Sequence, residues 1–256
     1  MSPDANGDWL AGVDGCAGGW IAAFVRPQGG EARIRIMPRL ADILYAPEAP
    51  SIVAVDVPIG LPGWGGRAAE TLVRPLLGRL NRSVFPIPSR MAVFAETGPF
   101  ANGRERYAAH RRACAIAEAT SNPPKRITIQ TFGILPKIRE VDETLRTAPD
   151  LAARVFEVHP ELAFWRLNGE RALAEPKKVK GRAYEPGLAL RRGLLIGAGL
   201  PAEAVNAAPL KGAGPDDLLD ALACAAIARR LHAGLARPYP DPPPRDAFGL
   251  PMAIWA

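Results

Sequence analysis

Short apolar runs separated by turns open the chain and predict a β-meander. Residues 9–14 form an almost wholly apolar run that ends on an acid, and a second apolar run follows at residues 19–25 after the turn GCAGG. Glycine permits the positive φ angles that tight turns need. Residues 32–37 alternate apolar and polar positions, which is typical of a half-exposed strand. We therefore expect three consecutive antiparallel strands.

Two later segments have the pattern of buried parallel strands. Residues 51–57, SIVAVDV, are β-branched and almost wholly apolar, as strands buried on both faces are. The short helical segment at residues 40–46 predicts a crossover that places this fourth strand parallel to the first. Residues 153–160, ARVFEVHP, show the same pattern and predict a fifth strand.

The segment between these two strands lacks strand signals, and we expect a mainly helical insertion at about residues 62–150. Helices are also expected after the fifth strand. The clearest spans residues 215–234, with proline at its start, acids in its first turn and glycine at its end. A proline-rich tail, residues 237–256, closes the chain, and its apolar end should pack back onto the rest.

This order of elements is that of the ribonuclease-H-like fold. We therefore expect an α/β protein whose mixed five-stranded sheet is flanked by helices on both faces. Strands one to three should be antiparallel, and strands four and five should lie parallel to strand one. Residues 1–256 should form a single domain that includes the insertion and the tail.

Composition excludes two broad classes of protein. Apolar residues make up 48% and charged residues 23% of the chain, which is typical of globular proteins and too apolar for a disordered one. No apolar run reaches the roughly 18 residues of a membrane-spanning helix. The start, MSPDANGDW, lacks the basic and apolar regions of a signal peptide. The three cysteines are widely spaced and favour neither zinc nor disulfides, so we expect a cytoplasmic protein.

Positive charge is concentrated in the predicted insertion. The chain has 32 basic and 26 acidic residues, a net charge of +6, and residues 67–139 alone contain thirteen basic and four acidic residues. Such a segment suits a phosphate-bearing partner, although a solvated surface explains it equally well. We expect nucleic acid and no membrane as the partner, and the oligomeric state stays open.

Four acids fall where the predicted fold brings them together. Asp14 ends the first strand, and Asp56 lies near the end of the fourth. Asp217 and Asp220 are three residues apart on the last helix and therefore share one face. Clustered carboxylates repel one another unless cations lie between them, and hard oxygen ligands suit Mg²⁺ or Mn²⁺. Two such ions can activate water and stabilise the leaving oxygen in phosphodiester hydrolysis.

Each of these acids also has a structural explanation. Turn formation explains Asp14, and a buried salt bridge explains Asp56. A preference for acids at helix starts explains Asp217, and a solvated helix face explains Asp220. The metal hypothesis therefore depends on the four acids in combination with this strand order.

The chain resembles the domain-of-unknown-function family numbered 429 in the segments VDGCAGGW, VDVPIGLP, SVFPIPSR, FEVHPELAF and PDDLLDALACA. The resemblance extends through QTFGILPKIREVD and the loop KKVKGR and covers nearly the whole chain. It implies a ribonuclease-H-like fold and a nuclease activity that is itself a prediction for the family. The helix segment is also similar to that of Holliday-junction resolvases, which implies metal binding by Asp14, Asp56, Asp217 and Asp220. At the position of Asp56, resolvases commonly have Glu, which has a longer side chain.

Further candidates surround the predicted site. Glu157 and His159 end the fifth strand and should face the same cleft. Glu157 would bind the metal or hydrogen-bond to one of its ligands, and His159 would orient water or phosphate. A structural hydrogen bond explains His159 as well. Cys16 adjoins the site but has no evident paired base, so we do not expect a nucleophilic cysteine. The basic residues expected to contact phosphate are Lys177, Lys178, Lys180, Arg182, Arg82 and Arg90.

The leading hypothesis is an enzyme, a two-metal nuclease that uses Mg²⁺ or Mn²⁺. Its catalytic acids would be Asp14, Asp56, Asp217, Asp220 and Glu157. One alternative is an actin-like or sugar-kinase-like phosphotransferase with VDGCAGG as its phosphate loop, although such enzymes normally need two domains of this kind. Another is a catalytically silent nucleic-acid-binding module of the same fold. The sequence does not distinguish DNA from RNA, or structured from single-stranded substrates.

Overall fold

A mixed five-stranded sheet lies at the centre of the computed structural model, which describes residues 9–256. Its strands are β1 (Leu10–Cys16), β2 (Gly19–Val25), β3 (Ala32–Met37), β4 (Ile52–Val55) and β5 (Val155–Glu157). They lie in the order β3-β2-β1-β4-β5. The pairs β1–β2 and β2–β3 are antiparallel, whereas β1–β4 and β4–β5 are parallel. The predicted α/β class, mixed five-stranded sheet and strand directions are confirmed.

Helices fill the long segment between β4 and β5, all of which the structure describes. Helix α1 (Leu40–Leu44) connects β3 to β4. After β4 come α2 (Ala68–Val73), a 3₁₀ segment (Arg74–Ser83), α3 (Arg90–Phe94), α4 (Gly103–Ala119), α5 (Ile129–Thr147) and α6 (Pro149–Ala152). No strand falls within residues 62–150, so the predicted helical insertion is confirmed.

Four helices and two small two-stranded sheets follow the central sheet. The helices are α7 (Pro160–Leu167), α8 (Glu185–Gly197), α9 (Ala202–Val205) and α10 (Pro215–His232). Strands β6 (Lys178–Val179) and β7 (Arg182–Ala183) pair between α7 and α8, and β8 (Pro238–Tyr239) pairs with β9 (Ile254–Trp255). Trp255 also bridges to Val158 beside β5. The apolar end of the tail therefore packs back, as expected.

Strand alternation divides the core into two layers. Ala11 and Val13 of β1 pack in the layer that contains Leu135 and other α5 side chains, whereas Leu10 packs in the layer that contains α10. Successive residues of a strand face opposite sides of the sheet. The even-numbered positions of β1 and β4 therefore face α10, and the odd-numbered positions face the insertion.

Among residues 9–256, no helix combines the length and the apolar character that crossing a membrane demands. The prediction that the chain starts without a signal peptide concerns residues 1–9. Of these, residues 1–8 lie outside the described residues.

Candidate functional site

Asp14 and Asp56 lie side by side at the carboxyl ends of two parallel strands. Strands β1 and β4 pair in register up to Val13 and Val55, so the two acids occupy the next register position. The Asp56 amide donates a hydrogen bond to the Val13 carbonyl at 2.9 Å, which continues the ladder. Because both acids hold even-numbered positions, they face α10.

Helix α10 brings a third carboxylate to this face because Gly12 lets the helix approach β1. A β-carbon at Gly12 would lie 2.0 Å from the backbone nitrogen of Ala225 and 2.1 Å from the carbonyl oxygen of Ala221. This contact places Asp220 beside the end of the sheet, where it is only 3% exposed. Its Oδ1 is buried and has no hydrogen-bond partner among the described residues. Buried polar atoms are normally paired, so this oxygen marks a place for a bound cation or water.

Burial and mutual repulsion raise the pKa of all three carboxylates. Burial, followed by the charges of Asp56 and Asp220, raises the pKa of Asp14 well above its usual value. Burial likewise raises the pKa of Asp56 to about 7 and that of Asp220 to about 6, although Lys177 opposes both shifts. Near neutral pH the cluster is therefore easily protonated, and any added positive charge would favour its ionised form.

Lys177 supplies positive charge within this cluster. Its Nζ donates a hydrogen bond to Asp220, and its charge lowers the pKa of Asp14. Burial opposes the charge of Lys177, but Asp220 and Asp14 outweigh that effect and raise its pKa. The adjacent Lys178 pairs with Asp216 at 2.6 Å. The structure thus pairs both lysines, predicted to contact phosphate, with acids of α10.

A cavity of about 270 Å³ opens at the carboxyl ends of β1 and β4, and Asp14 and Asp56 line it. Ligands of open α/β sheets characteristically bind at this edge. Asp220 and Lys177 do not line it. The other lining side chains with polar or aromatic groups are Cys16, Arg67, Glu70, Ser83, Phe85, Lys137, Glu157 and His159.

His159 lines the cavity, and its hydrogen bonding defines its tautomer. Its Nε2 lies 3.3 Å from the Ser83 carbonyl, which can only accept, so Nε2 carries the proton. Its Nδ1 is buried and has no partner within residues 9–256. Burial lowers the pKa of the imidazole. The ring is therefore neutral near pH 7, with Nδ1 available to accept a proton.

Lys137 is a cavity residue that the sequence analysis did not single out. Its Nζ lies 3.9 Å from the centroid of the Trp20 ring, and its side chain packs closely over Gly15. Burial lowers its pKa. Lys137 falls within QTFGILPKIREVD, one of the segments of the family resemblance, which was the signal that could have identified it. Helix α5 of the insertion thus overhangs the cleft and adds a cation to it.

Asp217 stabilises the start of α10 instead of completing the cluster. Its Oδ2 accepts a hydrogen bond from the Gly214 amide at 2.8 Å, the geometry of a helix cap. Its charge raises the pKa of Asp14 less than the charges of Asp56 and Asp220 do. Of the two helix acids predicted as metal ligands, Asp220 is therefore the one that joins the carboxylates of the sheet.

Glu157 lines the same cavity as Asp56 but lies on the other face of the sheet. It pairs in register with Val55, one position earlier, so strand alternation turns it towards the opposite side of the sheet. Arg67 holds its two oxygens at 2.6 and 2.7 Å, and the Ile59 amide donates to Oε2 at 2.8 Å. Because these contacts occupy both oxygens, the structure does not support the predicted role of Glu157 as a metal ligand.

Arg90 anchors the tail instead of lining the cavity. Its guanidinium donates to Asp142 at 2.6 and 2.7 Å and to Asp246 at 2.7 Å. With these donors engaged, the predicted contact of Arg90 with phosphate is not supported. The other predicted phosphate contacts are exposed and line no part of this cavity: Lys180, Arg182 and Arg82. Their role stays a prediction.

The donor set suits a hard divalent cation. Carboxylate oxygens such as those of Asp14, Asp56 and Asp220 are the ligands that Mg²⁺ and Mn²⁺ prefer, and Oδ1 of Asp220 is unpaired. Within residues 9–256, however, no group of three or more His, Cys, Asp or Glu side chains is arranged to hold a metal ion. Asp220 is paired with Lys177 instead. Metal binding by all three acids would require Lys177 to release Asp220.

In the presence of chelator, we expect stability to rise as the pH falls from about 8 to about 5. The pKa values of Asp56 and Asp220 are about 7 and about 6 in the folded protein and lower in the unfolded chain. The folded protein therefore binds more protons in this window, and Asp56 and Asp220 together increase the free energy of unfolding by on the order of 4 kcal/mol. Glu157, whose pKa burial also raises to about 7, adds to this trend, and His159, whose pKa burial lowers, opposes it. Thermal unfolding followed by circular dichroism measures this change. Asp56→Asn should weaken the pH dependence, because Asp220 still titrates in this window, and an unchanged dependence in that variant would contradict the prediction.

A family model covers most of the chain. The model described as "Protein of unknown function (DUF429)" matches residues 12–245. No curated protein and no solved structure matches the chain. The matched range includes the three clustered carboxylates, Lys177 and every residue that lines the cavity except Ile254.

Proposed function

The chain belongs to the DUF429 family, whose function is unknown, and from the chemistry of its cleft we propose that it is a divalent-cation-dependent nuclease. The observation that carries this proposal is the matched register of Asp14 and Asp56, with Asp220 packed onto the same face through Gly12. Acids that meet at the carboxyl edge of a sheet are what two-metal hydrolysis of phosphodiesters needs. The strand order is also the one expected of a ribonuclease-H-like fold.

In this proposal each cleft residue has a distinct role. Asp14, Asp56 and Asp220 would hold Mg²⁺ or Mn²⁺, which when bound polarise a phosphoryl oxygen and lower the pKa of water. His159 would accept a proton at Nδ1 as water attacks the phosphorus, while the bond from phosphorus to the leaving ester oxygen breaks and that oxygen takes up a proton from solvent. Lys137 would contact the scissile phosphate, since its ammonium group lies at the cavity and pairs with no carboxylate among the described residues.

Cleavage assays test the proposal directly. Labelled single-stranded and duplex DNA and RNA are incubated with the protein in Mg²⁺, in Mn²⁺ and in chelator. Cleavage that requires the cation supports the proposal. Turnover of nucleoside triphosphates without cleavage of any strand would favour the phosphotransferase instead, and retention of a strand without cleavage would favour the silent binding module.

Replacement of Lys177 tests whether its ammonium group and a metal ion compete for Asp220. Lys177→Met keeps the length of the side chain but removes the charge that pairs with Asp220. In chelator we expect the variant to lose about 3 kcal/mol of stability, because a buried carboxylate loses its counter-charge. Mn²⁺ should then raise the melting temperature of the variant more than that of the wild type, since the cation would replace the lost charge.

Lys180→Met is the matched control, because Lys180 lies in the turn between β6 and β7, three residues after Lys177, and is exposed. It should behave as the wild type does in thermal unfolding with and without Mn²⁺. If Mn²⁺ shifted the melting temperatures of Lys177→Met and the wild type equally, Lys177 and the cation would not share a site.

A further inference from the structure

A second cavity adjoins the acidic cleft. Its volume is about 380 Å³, and it shares the side chains of Arg67, Glu70 and Ile87 with the first cavity. All three residues are buried, and an ion pair links Arg67 to Glu70. The two cavities therefore lie on either side of one ordered wall.

The second cavity is basic. Arg74 and Lys125 line it, are exposed, and pair with no acid among the described residues. Arg126 adds a third cation, which pairs with a neighbouring glutamate at 3.6 Å. Glu70 is the one carboxylate in the lining, and its Oε1 is held by Arg67. This balance of charge suits an anionic group such as a phosphate.

Glu70 offers an unused acceptor at the wall between the cavities. Its side chain is only 6% exposed, and within residues 9–256 its Oε2 is buried and has no hydrogen-bond partner. A buried acceptor without a donor costs free energy that a suitable ligand would recover. An ionised phosphodiester has no hydrogen-bond donor. The part of the ligand that contacts Glu70 must therefore be another group, one that bears a hydroxyl or an amino group.

We infer that the second cavity binds the nucleotide next to the cleaved phosphodiester, and that Glu70 accepts a hydrogen bond from its ribose 2′-hydroxyl. Each sugar of a strand lies between two phosphates. With one phosphate beside Asp14 and the next beside Arg74 and Lys125, a sugar lies at the wall that Glu70 forms. An internal sugar of RNA carries a donor there, the 2′-hydroxyl, and that of DNA carries none. This inference rests on the proposed nuclease function and gives it RNA as its substrate.

Binding without cleavage tests the inference separately from the activity. Fluorescence anisotropy follows the titration of a labelled six-nucleotide RNA, and of the DNA of the same sequence, with Asp14→Asn protein in chelator. We expect the RNA to bind about tenfold more tightly, as one hydrogen bond to a charged group provides. Adding Glu70→Gln, which keeps the shape and one acceptor, should reduce this preference. Equal affinity for RNA and DNA would overturn the inference.

A pair of double variants locates the phosphate contacts. Arg74→Ala with Lys125→Ala, on the same background, should weaken RNA binding by about tenfold and reduce its dependence on salt. Arg104→Ala with Arg237→Ala removes the same charge from exposed positions that line neither cavity, and should bind RNA as before. Equal losses in the two double variants would overturn the inference. Failure of the wild type to cleave any strand, with RNA binding intact, would instead count against the nuclease function alone.

Discussion

Asp14→Asn should reduce cation-dependent phosphodiester hydrolysis by about 10³-fold or more, the largest loss expected of any single substitution in the cleft. Asn keeps the shape of the side chain and the Oδ1 atom that accepts the Gly15 amide at 2.7 Å. It removes the charge that, in the proposed mechanism, holds a cation while negative charge builds on the phosphate. Because burial and the charges of Asp56 and Asp220 raise the pKa of Asp14, the variant should be at least as stable as the wild type in chelator.

Two measurements make this prediction specific. Cleavage rates in Mn²⁺ are compared between the wild type and Asp14→Asn, and thermal unfolding verifies that both are folded. Asp150→Asn is the control, because Asp150 is exposed on α6 and makes no contact with the cleft. Equal cleavage rates in the wild type and Asp14→Asn would place the chemistry elsewhere in the molecule.

The sheet could be predicted because its signals are local. The apolar run before Asp14 and the run that contains Asp56 each mark a strand by themselves, and the helix between them implies that the two strands are parallel. Once the strands are known to be parallel neighbours, their carboxyl ends meet at one edge. The convergence of Asp14 and Asp56 followed from this argument, and the register confirms it.

The orientation of Glu157 could not be predicted in the same way. It depends on register, and a shift of one residue moves a strand side chain to the other face. The short apolar strand β5 does not reveal its register with β4, so the sequence could not show that Glu157 lies opposite Val55. Its partner Arg67 is 90 residues away along the chain, and local patterns carry no signal of such a pairing.

The position of Lys177 inside the carboxylate cluster could not be predicted, for a similar reason. Lys177 lies in a basic loop, and a basic loop predicts contact with solvent or phosphate. Only the folded chain shows that Lys177 reaches Asp220, 43 residues further on. Lys137 could not be assigned to the cleft from the sequence, because the position of α5 over the sheet depends on how the whole insertion packs.

Gly12→Ala should destabilise the protein by more than about 3 kcal/mol, because the added methyl group has no room against α10. The new β-carbon would lie 2.0 Å from the Ala225 nitrogen and 2.1 Å from the Ala221 oxygen. Both are backbone atoms of α10, so no side chain can rotate away, and the helix itself must move from the sheet. Such a movement would also carry Asp220 away from Asp14.

Gly63→Ala separates this steric effect from the general effect of replacing glycine. A β-carbon at Gly63 would meet no atom within 4 Å, and its φ is not in the left-handed region, so its stability should stay within about 1 kcal/mol of the wild type. Urea unfolding measures both variants. If Mn²⁺ binds through Asp220, it should stabilise Gly12→Ala less than the wild type, because the displaced helix no longer presents that carboxylate. A Gly12→Ala protein as stable as Gly63→Ala would mean that α10 does not rest on β1 at this position, and the three-carboxylate cluster would lose its structural basis.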